Sequence, residues 1–217
     1  MAPFETFAAL QAIPWIRHGF ILRVDGINTK VDRTSALGAL AEIHRNTLPQ
    51  IGIDPERSAF IAAEQVHGHR VERVGRDTAS PVPETDGLIT VESGVCLAIY
   101  VADCGPIYLV DQGQHAIGLL HSGKKGTEQN ILRSAIDRMK TEFGTDPADL
   151  VVVLGPCIRP PHYEVDFAGR IGGQAREAGV GEYVDPGVCT ASDPQKYYSY
   201  RRDLGKTGRL LAVLAII

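Results

Sequence analysis

Two histidines and a cysteine, each followed at once by chain-breaking residues, are the chemical landmarks of this sequence. His67 precedes Gly68, Cys104 precedes Gly105-Pro106, and His121 precedes Ser122-Gly123. Each closes a strand-like run, so each sits where the backbone must turn at the rim of a sheet. A catalytic zinc takes three protein ligands of nitrogen, sulfur or oxygen type and keeps one position for water or substrate. Three strand ends from one sheet region can bring such ligands together. The separations along the chain, 37 and 17 residues, match no short metal motif. Spacing alone therefore leaves open a small core thiol and two ordinary polar histidines. His69 competes with His67, because residues two apart on a strand share a face. His18, His44 and His115 read as structural or surface residues.

The same strand-face rule gives Gln65 a place beside His67, either orienting that imidazole or bonding a substrate, while Glu64 points the other way. These residues need a scaffold, and the apolar pattern supplies one. Strands are expected at 18–23, 59–67, 70–74, 88–91, 95–101, 107–111, 116–120 and 150–154, with the 59–67 and 70–74 strands adjacent. Helical spacing marks 34–48 and, most clearly, 128–143, which Gly144 stops. A weaker helix spans 167–178, and the apolar segment 208–217 is a helix or a strand. Some strands follow one another closely and others are separated by helices. That mixture predicts an α/β fold of the α+β type, with mixed sheets packed together and flanked by helices. No repeat or linker divides residues 1–217, which are expected to form one catalytic domain.

Composition narrows the class. The net charge of −4 and pI near 6.0 offer no basic footprint for nucleic acid or an anionic membrane. The N-terminus lacks a signal-peptide pattern and no apolar run is long enough to span a bilayer, so a cytoplasmic protein is expected. None of Cys96, Cys104, Cys157 and Cys189 forms a CxxC pair, and reduced thiols are expected, with Cys157 and Cys189 in the core.

Along nearly its whole length the chain resembles the family once called multicopper polyphenol oxidoreductase laccase, which includes purine nucleoside phosphorylases and peptidoglycan-editing factors. The resemblance rests on an ordered set of motifs. They are Arg17-His18-Gly19-Phe20 with Arg23, Gln65-Val66-His67-Gly68, Asp86-Gly87-Leu88-Ile89-Thr90, and Ala102-Asp103-Cys104-Gly105-Pro106. Further on come His121-Ser122-Gly123-Lys124-Lys125-Gly126, Gly155-Pro156-Cys157-Ile158, Tyr163-Glu164-Val165 and Cys189-Thr190. The set closes with Tyr198-Ser199-Tyr200-Arg201-Arg202-Asp203 and Thr207-Gly208-Arg209. It implies that His67, Cys104 and His121 hold one zinc ion. It also implies phosphorolysis of adenosine, inosine, guanosine and methylthioadenosine, with hydrolytic deamination of adenosine as a second activity.

Two departures stand out. The family usually has Trp-Arg where this chain has Lys124-Lys125, and Gly-Pro-Cys-Cys where it has Arg159-Pro160-Pro161-His162. Lys125 is expected to meet phosphate as a point charge at the N-terminus of the 128–143 helix, unless the two lysines form a solvated loop. Arg23 and Arg201 are candidate substrate contacts or members of structural ion pairs. A metal-free alternative makes Cys104 the nucleophile of an amide hydrolase acting on cell-wall peptide precursors, activated by His67 or His121. A copper site is disfavoured: Met1 and Met139 are both remote from the candidate ligands along the chain, and seven histidines are too few for a multicopper cluster.

Overall fold

A computed structural model describes residues 3–217. The chain begins with β1 (Phe4–Glu5), α1 (Ala8–Gln11), β2 (Ile16–Ile21), α2 (Arg33–Ile51), β3 (Ala59–Ala62) and β4 (Val71–Arg73). It continues through β5 (Gly87–Thr90), β6 (Val95–Val101), β7 (Gly105–Asp111), β8 (Ala116–Ser122), α3 (Lys124–Glu128) and α4 (Ile131–Phe143). It closes with β9 (Leu150–Leu154), α5 (Phe167–Glu177), β10 (Glu182–Val184) and β11 (Leu210–Ile216). No helix is long and apolar enough to cross a membrane among these residues.

The strands form two mixed sheets, ordered β1-β2-β11-β6-β3 and β10-β9-β7-β8-β5-β4. The period-2 alternation of a strand then decides the packing. On β6, Leu97 and Ile99 point into the core shared by the sheets, while Cys96 and Ala98 point out to α2, whose Leu48 and Ile51 cover them. On β7 and β8, Tyr108, Val110, Ile117 and Leu119 point inward. Ile107, Leu109 and Leu120 face outward, under Ile131, Leu132, Ile136 and Met139 of α4 and Phe167 and Ile171 of α5. The result is a sandwich of two sheets with helices over both outer faces. Strands buried on both faces explain the near-continuous apolar runs of β6 to β9 and β11.

Several expectations need correction. Of the two forms left open for 208–217 the strand is the one adopted, and it is a central strand, pairing antiparallel with both β2 and β6. The 128–143 helix is two helices: Asn130 adopts φ 57°, ψ 55°, and its side chain caps α4 by accepting from the Arg133 N–H. The expected 59–67 strand ends at Ala62. It is not adjacent to the 70–74 strand, since β3 lies in the five-stranded sheet and β4 in the six-stranded one.

Candidate metal centre

The chain passes from one sheet to the other between β6 and β7, and Cys104 sits in that crossing. His121, near the end of β8, shares strand parity with Ile117 and Leu119, so it faces the space between the sheets at their rim. His67 follows β3 on the irregular segment that leads to β4. The candidate ligands thus come from both sheets and not from one sheet region. Their donor atoms, two imidazole nitrogens and one sulfur, all lie within 4.8 Å of one another. His121 is buried, Cys104 is half-buried and His67 is exposed. The cluster therefore opens on the His67 side, into a cavity of about 570 Å³.

Backbone strain and a buried carboxylate hold this arrangement. Gln65, His67 and Asp103 adopt φ of 66°, 63° and 90°, a region in which a side chain costs about 1–3 kcal/mol. Asp86, fully buried, offsets that cost for the His67 segment. Its Oδ1 accepts from the His67 N–H (2.9 Å) and its Oδ2 from the N–H groups of Val66 (3.2 Å) and Gly68 (2.7 Å). The same Oδ1 lies 2.8 Å from His121 Nδ1, so one carboxylate ties the two histidine segments together. Asp103 is held in the same manner, accepting from Thr190 Oγ1 and the Arg201 N–H at 2.7 Å each.

The electrostatics follow. Burial by itself pushes the Cys104 thiol up, but the charge of His121 and hydrogen bonds from His121 and His67 outweigh it and bring the thiol down to about 6. Burial likewise opposes charging His121, yet the Cys104 sulfur and the Asp86 carboxylate raise it to about 9. Asp86 itself is lowered, because hydrogen bonds from His121, Gly68 and His67 overcome its burial. The surroundings thus favour the charged form of each group, the Cys104 sulfur and the His121 ring supporting one another. With Nδ1 donating to Asp86, His121 has Nε2 left as a ligand atom, the usual carboxylate–histidine arrangement behind a metal. A thiolate and two imidazoles suit a borderline-soft divalent cation. Gly123 fits the close packing around the sulfur, since a Cβ there would stand 2.6 Å from Cys104 Sγ.

Of the other candidates, Gln65, Lys125 and Arg201 line the cavity, whereas Arg23 does not. Arg23 lies over the Tyr198 ring, 5.2 Å from its centroid, and 4.0 Å from Asp25. Gln65 does not orient His67. Its side-chain amide exchanges hydrogen bonds with the Tyr100 backbone at 2.6 and 2.9 Å; Asp86 is the residue behind a ligand imidazole. His69 points elsewhere, bonding Gln129 at 2.6 Å. His18 and His44 are buried, and His115 stacks on Trp15. Lys125 belongs to the five-residue α3, six residues ahead of the first residue of α4, so the long helix does not present its N-terminus at this lysine. Arg33 and Arg209 also line the cavity. Arg209 closes the Thr207-Gly208-Arg209 motif, whereas nothing local in the sequence marks Arg33 as facing this site.

A two-sheet α/β sandwich carrying a two-histidine, one-cysteine donor set at the rim between its sheets is a narrow structural class, and comparison with known proteins gives the family. The family described as multi-copper polyphenol oxidoreductase laccase matches residues 23–171 and 165–217, and the chain belongs to it. A Deinococcus radiodurans protein named purine nucleoside phosphorylase is 30% identical over 234 residues, covering 93% of this chain and 89% of its own. The purine nucleoside phosphorylase YlmD of Bacillus subtilis is 29% identical, covering 73% and 71%. Among solved structures, YlmD from Geobacillus stearothermophilus superposes with a TM-score of 0.83 at 24% identity, over 100% of this chain and 99% of its own. That likeness supports the mixed-sheet fold.

Proposed function

We propose that residues 1–217 act as one catalytic unit, a single-zinc purine nucleoside phosphorylase with adenosine deamination as a second reaction. The observation that carries this reading is the convergence of His67, Cys104 and His121 at a cavity lined by both aromatic and cationic side chains. A volume of about 570 Å³ lies within the range of roughly 300–1,000 Å³ usual for small-molecule sites. Tyr163, Phe167 and Tyr200 offer rings to a purine, and the cationic side chains of the wall offer charge to phosphate. A zinc ion held by His67, Cys104 and His121 would supply Lewis acidity to this space. One ion fits the donors better than a copper cluster, because Met139 is buried in the helix-covered core and His18, His44 and His115 belong to other parts of the fold. Names carried by relatives at about 30% identity support the phosphorylase assignment.

Purified protein should carry one zinc per chain and release free purine and ribose 1-phosphate from adenosine or inosine only when phosphate is present. Cys104→Ala should lose both the zinc and the reaction. Inosine from adenosine without phosphate marks the deaminase reaction.

The Cys104 sulfur, within 4.8 Å of the donor nitrogens of both His67 and His121, favours a second reading, a cysteine–histidine amide hydrolase acting on cell-wall peptide precursors. Activity retained by rigorously metal-free enzyme and abolished by thiol alkylation would select it over the first.

A further inference from the structure

The cavity holds more positive charge than one phosphate needs. Arg33, Lys124, Lys125, Arg201 and Arg209 line it, with Asp103 as the one carboxylate among its walls. Asp103 is already engaged by Thr190 and the Arg201 backbone. Arg201 pairs with Glu164 at 3.2 Å. Arg33, Lys124, Lys125 and Arg209 make no ion pair among the described residues. This local excess sits on a chain whose net charge is −4. Unpaired cations gathered in a concave wall repel one another and focus a field that anions neutralise.

The charges divide into two groups by origin. Arg33 opens α2, and Arg209 directly precedes β11, so both belong to the layers of the five-stranded sheet. Their guanidiniums anchor on backbone carbonyls, Arg33 on Glu64 (3.1 Å) and Arg209 on Thr207 and Gly208 (2.9 Å each). Burial first, and then the like charge of Arg33, lowers Arg209, and together they outweigh the opposing pull of Tyr200, Cys104 and Asp103. Lys124 and Lys125 open α3, directly after β8 of the six-stranded sheet. Arg201 joins their side of the cavity through Glu164, and its guanidinium stacks 4.7 Å above the Tyr163 ring. The Tyr163 ring therefore accompanies the lysine group, and the candidate metal ligands stand at the rim between the two sheets.

We infer that the two cationic groups hold two separate anions, inorganic phosphate and an anionic substituent on the nucleoside itself, so that the substrate class is purine nucleoside 5′-monophosphates. This rests on the phosphorylase reading and specifies its substrate. Hydrogen phosphate forms the new C1′–O bond as the C1′–N9 bond breaks; the bonding pair goes to N9, and the proton released by phosphate ends on the purine. The products are free purine and ribose 1,5-bisphosphate, with no oxidant or further reactant. Lys124, which stands where the resembled family usually has Trp, supplies one of the charges that admit the second anion.

The test compares adenosine with adenosine 5′-monophosphate, and inosine with its 5′-monophosphate, as substrates of the zinc-loaded protein at fixed phosphate. The expected kcat/KM for the monophosphate is at least tenfold the higher, and Lys124→Gln should cut that ratio by fivefold or more. A ratio at or below one overturns the inference and leaves the phosphorylase reading standing. Should neither compound yield free purine, the phosphorylase reading fails, and calorimetry in saturating inorganic phosphate decides the anion question by itself. Adenosine 5′-monophosphate binding tenfold more tightly than adenosine supports two anion sites; equal or weaker binding, or its displacement by phosphate, overturns them.

Discussion

Replacing Asp86 by asparagine keeps the shape of this side chain and removes its capacity to accept on both oxygens. In the native structure each oxygen faces two N–H groups: Oδ1 those of His67 and His121, Oδ2 those of Val66 and Gly68. An asparagine must turn its NH₂ towards one of these pairs. Two hydrogen bonds are then lost at about 0.5–1.5 kcal/mol each, and buried donors left unmet add roughly 1–3 kcal/mol apiece unless they relax. A net destabilisation of about 2–4 kcal/mol is expected, read from denaturant or thermal unfolding. If the NH₂ faces His121, the ring escapes the clash of donors by moving its proton to Nε2, the atom needed for a metal. Zinc affinity measured by competition with a chromophoric chelator should fall about 10–100-fold, the usual effect of changing a group behind a metal ligand. A folded Asp86→Asn protein that holds zinc as tightly as the parent would refute the reasoning.

Two further outcomes follow from the same geometry. Gly123→Ala puts a Cβ 2.6 Å from Cys104 Sγ, so the sulfur must move; zinc affinity should drop at least tenfold by the same chelator assay. Acid should destabilise the fold through His18 and His44, which burial lowers to about 4 each. Both are neutral when folded and protonate near 6.5 when unfolded, so the unfolded chain binds more protons between these values. Their contribution, on the order of 3 kcal/mol each, is present above pH 6.5 and is lost as the pH falls towards 4. His18 Nε2 accepts from the Phe7 N–H at 2.8 Å, a bond its protonation would break. Chemical denaturation from pH 7.5 to 4.5 in His18→Gln should show a shallower slope than in the parent.

The sheet-forming runs at 95–101 and 150–154 were legible to the residue, because strands covered on both faces must be apolar throughout. That same uniformity hid the role of β11, whose seven apolar letters fit a buried helix as well as a strand. The break at Asn130 was hidden because residues 128–143 keep helical spacing and only a single left-handed residue interrupts them. His67, Cys104 and His121 could be picked out by the turns that follow them, but their support could not. Gln65 and His67 looked like strand residues, and nothing local announces left-handed backbone at a glutamine and a histidine. Asp86 enters the sequence reading only as the first residue of the Asp86-Gly87-Leu88-Ile89-Thr90 motif. Its burial and its bonds to two distant segments exist only once β5 lies beside β8.

The place of β11 between β2 and β6 also bears on how the molecule is made. Until residues 210–216 leave the ribosome, β2 and β6 have no common neighbour, and each presents an open hydrogen-bonding edge to the crowded cell. Pairing partners nearly 200 residues apart, such as Ile16 and Ile216, demand a costly loop closure before they reward it. Assembly of this layer waits for the last strand, and nascent chains stalled short of it should be the ones that chaperones capture.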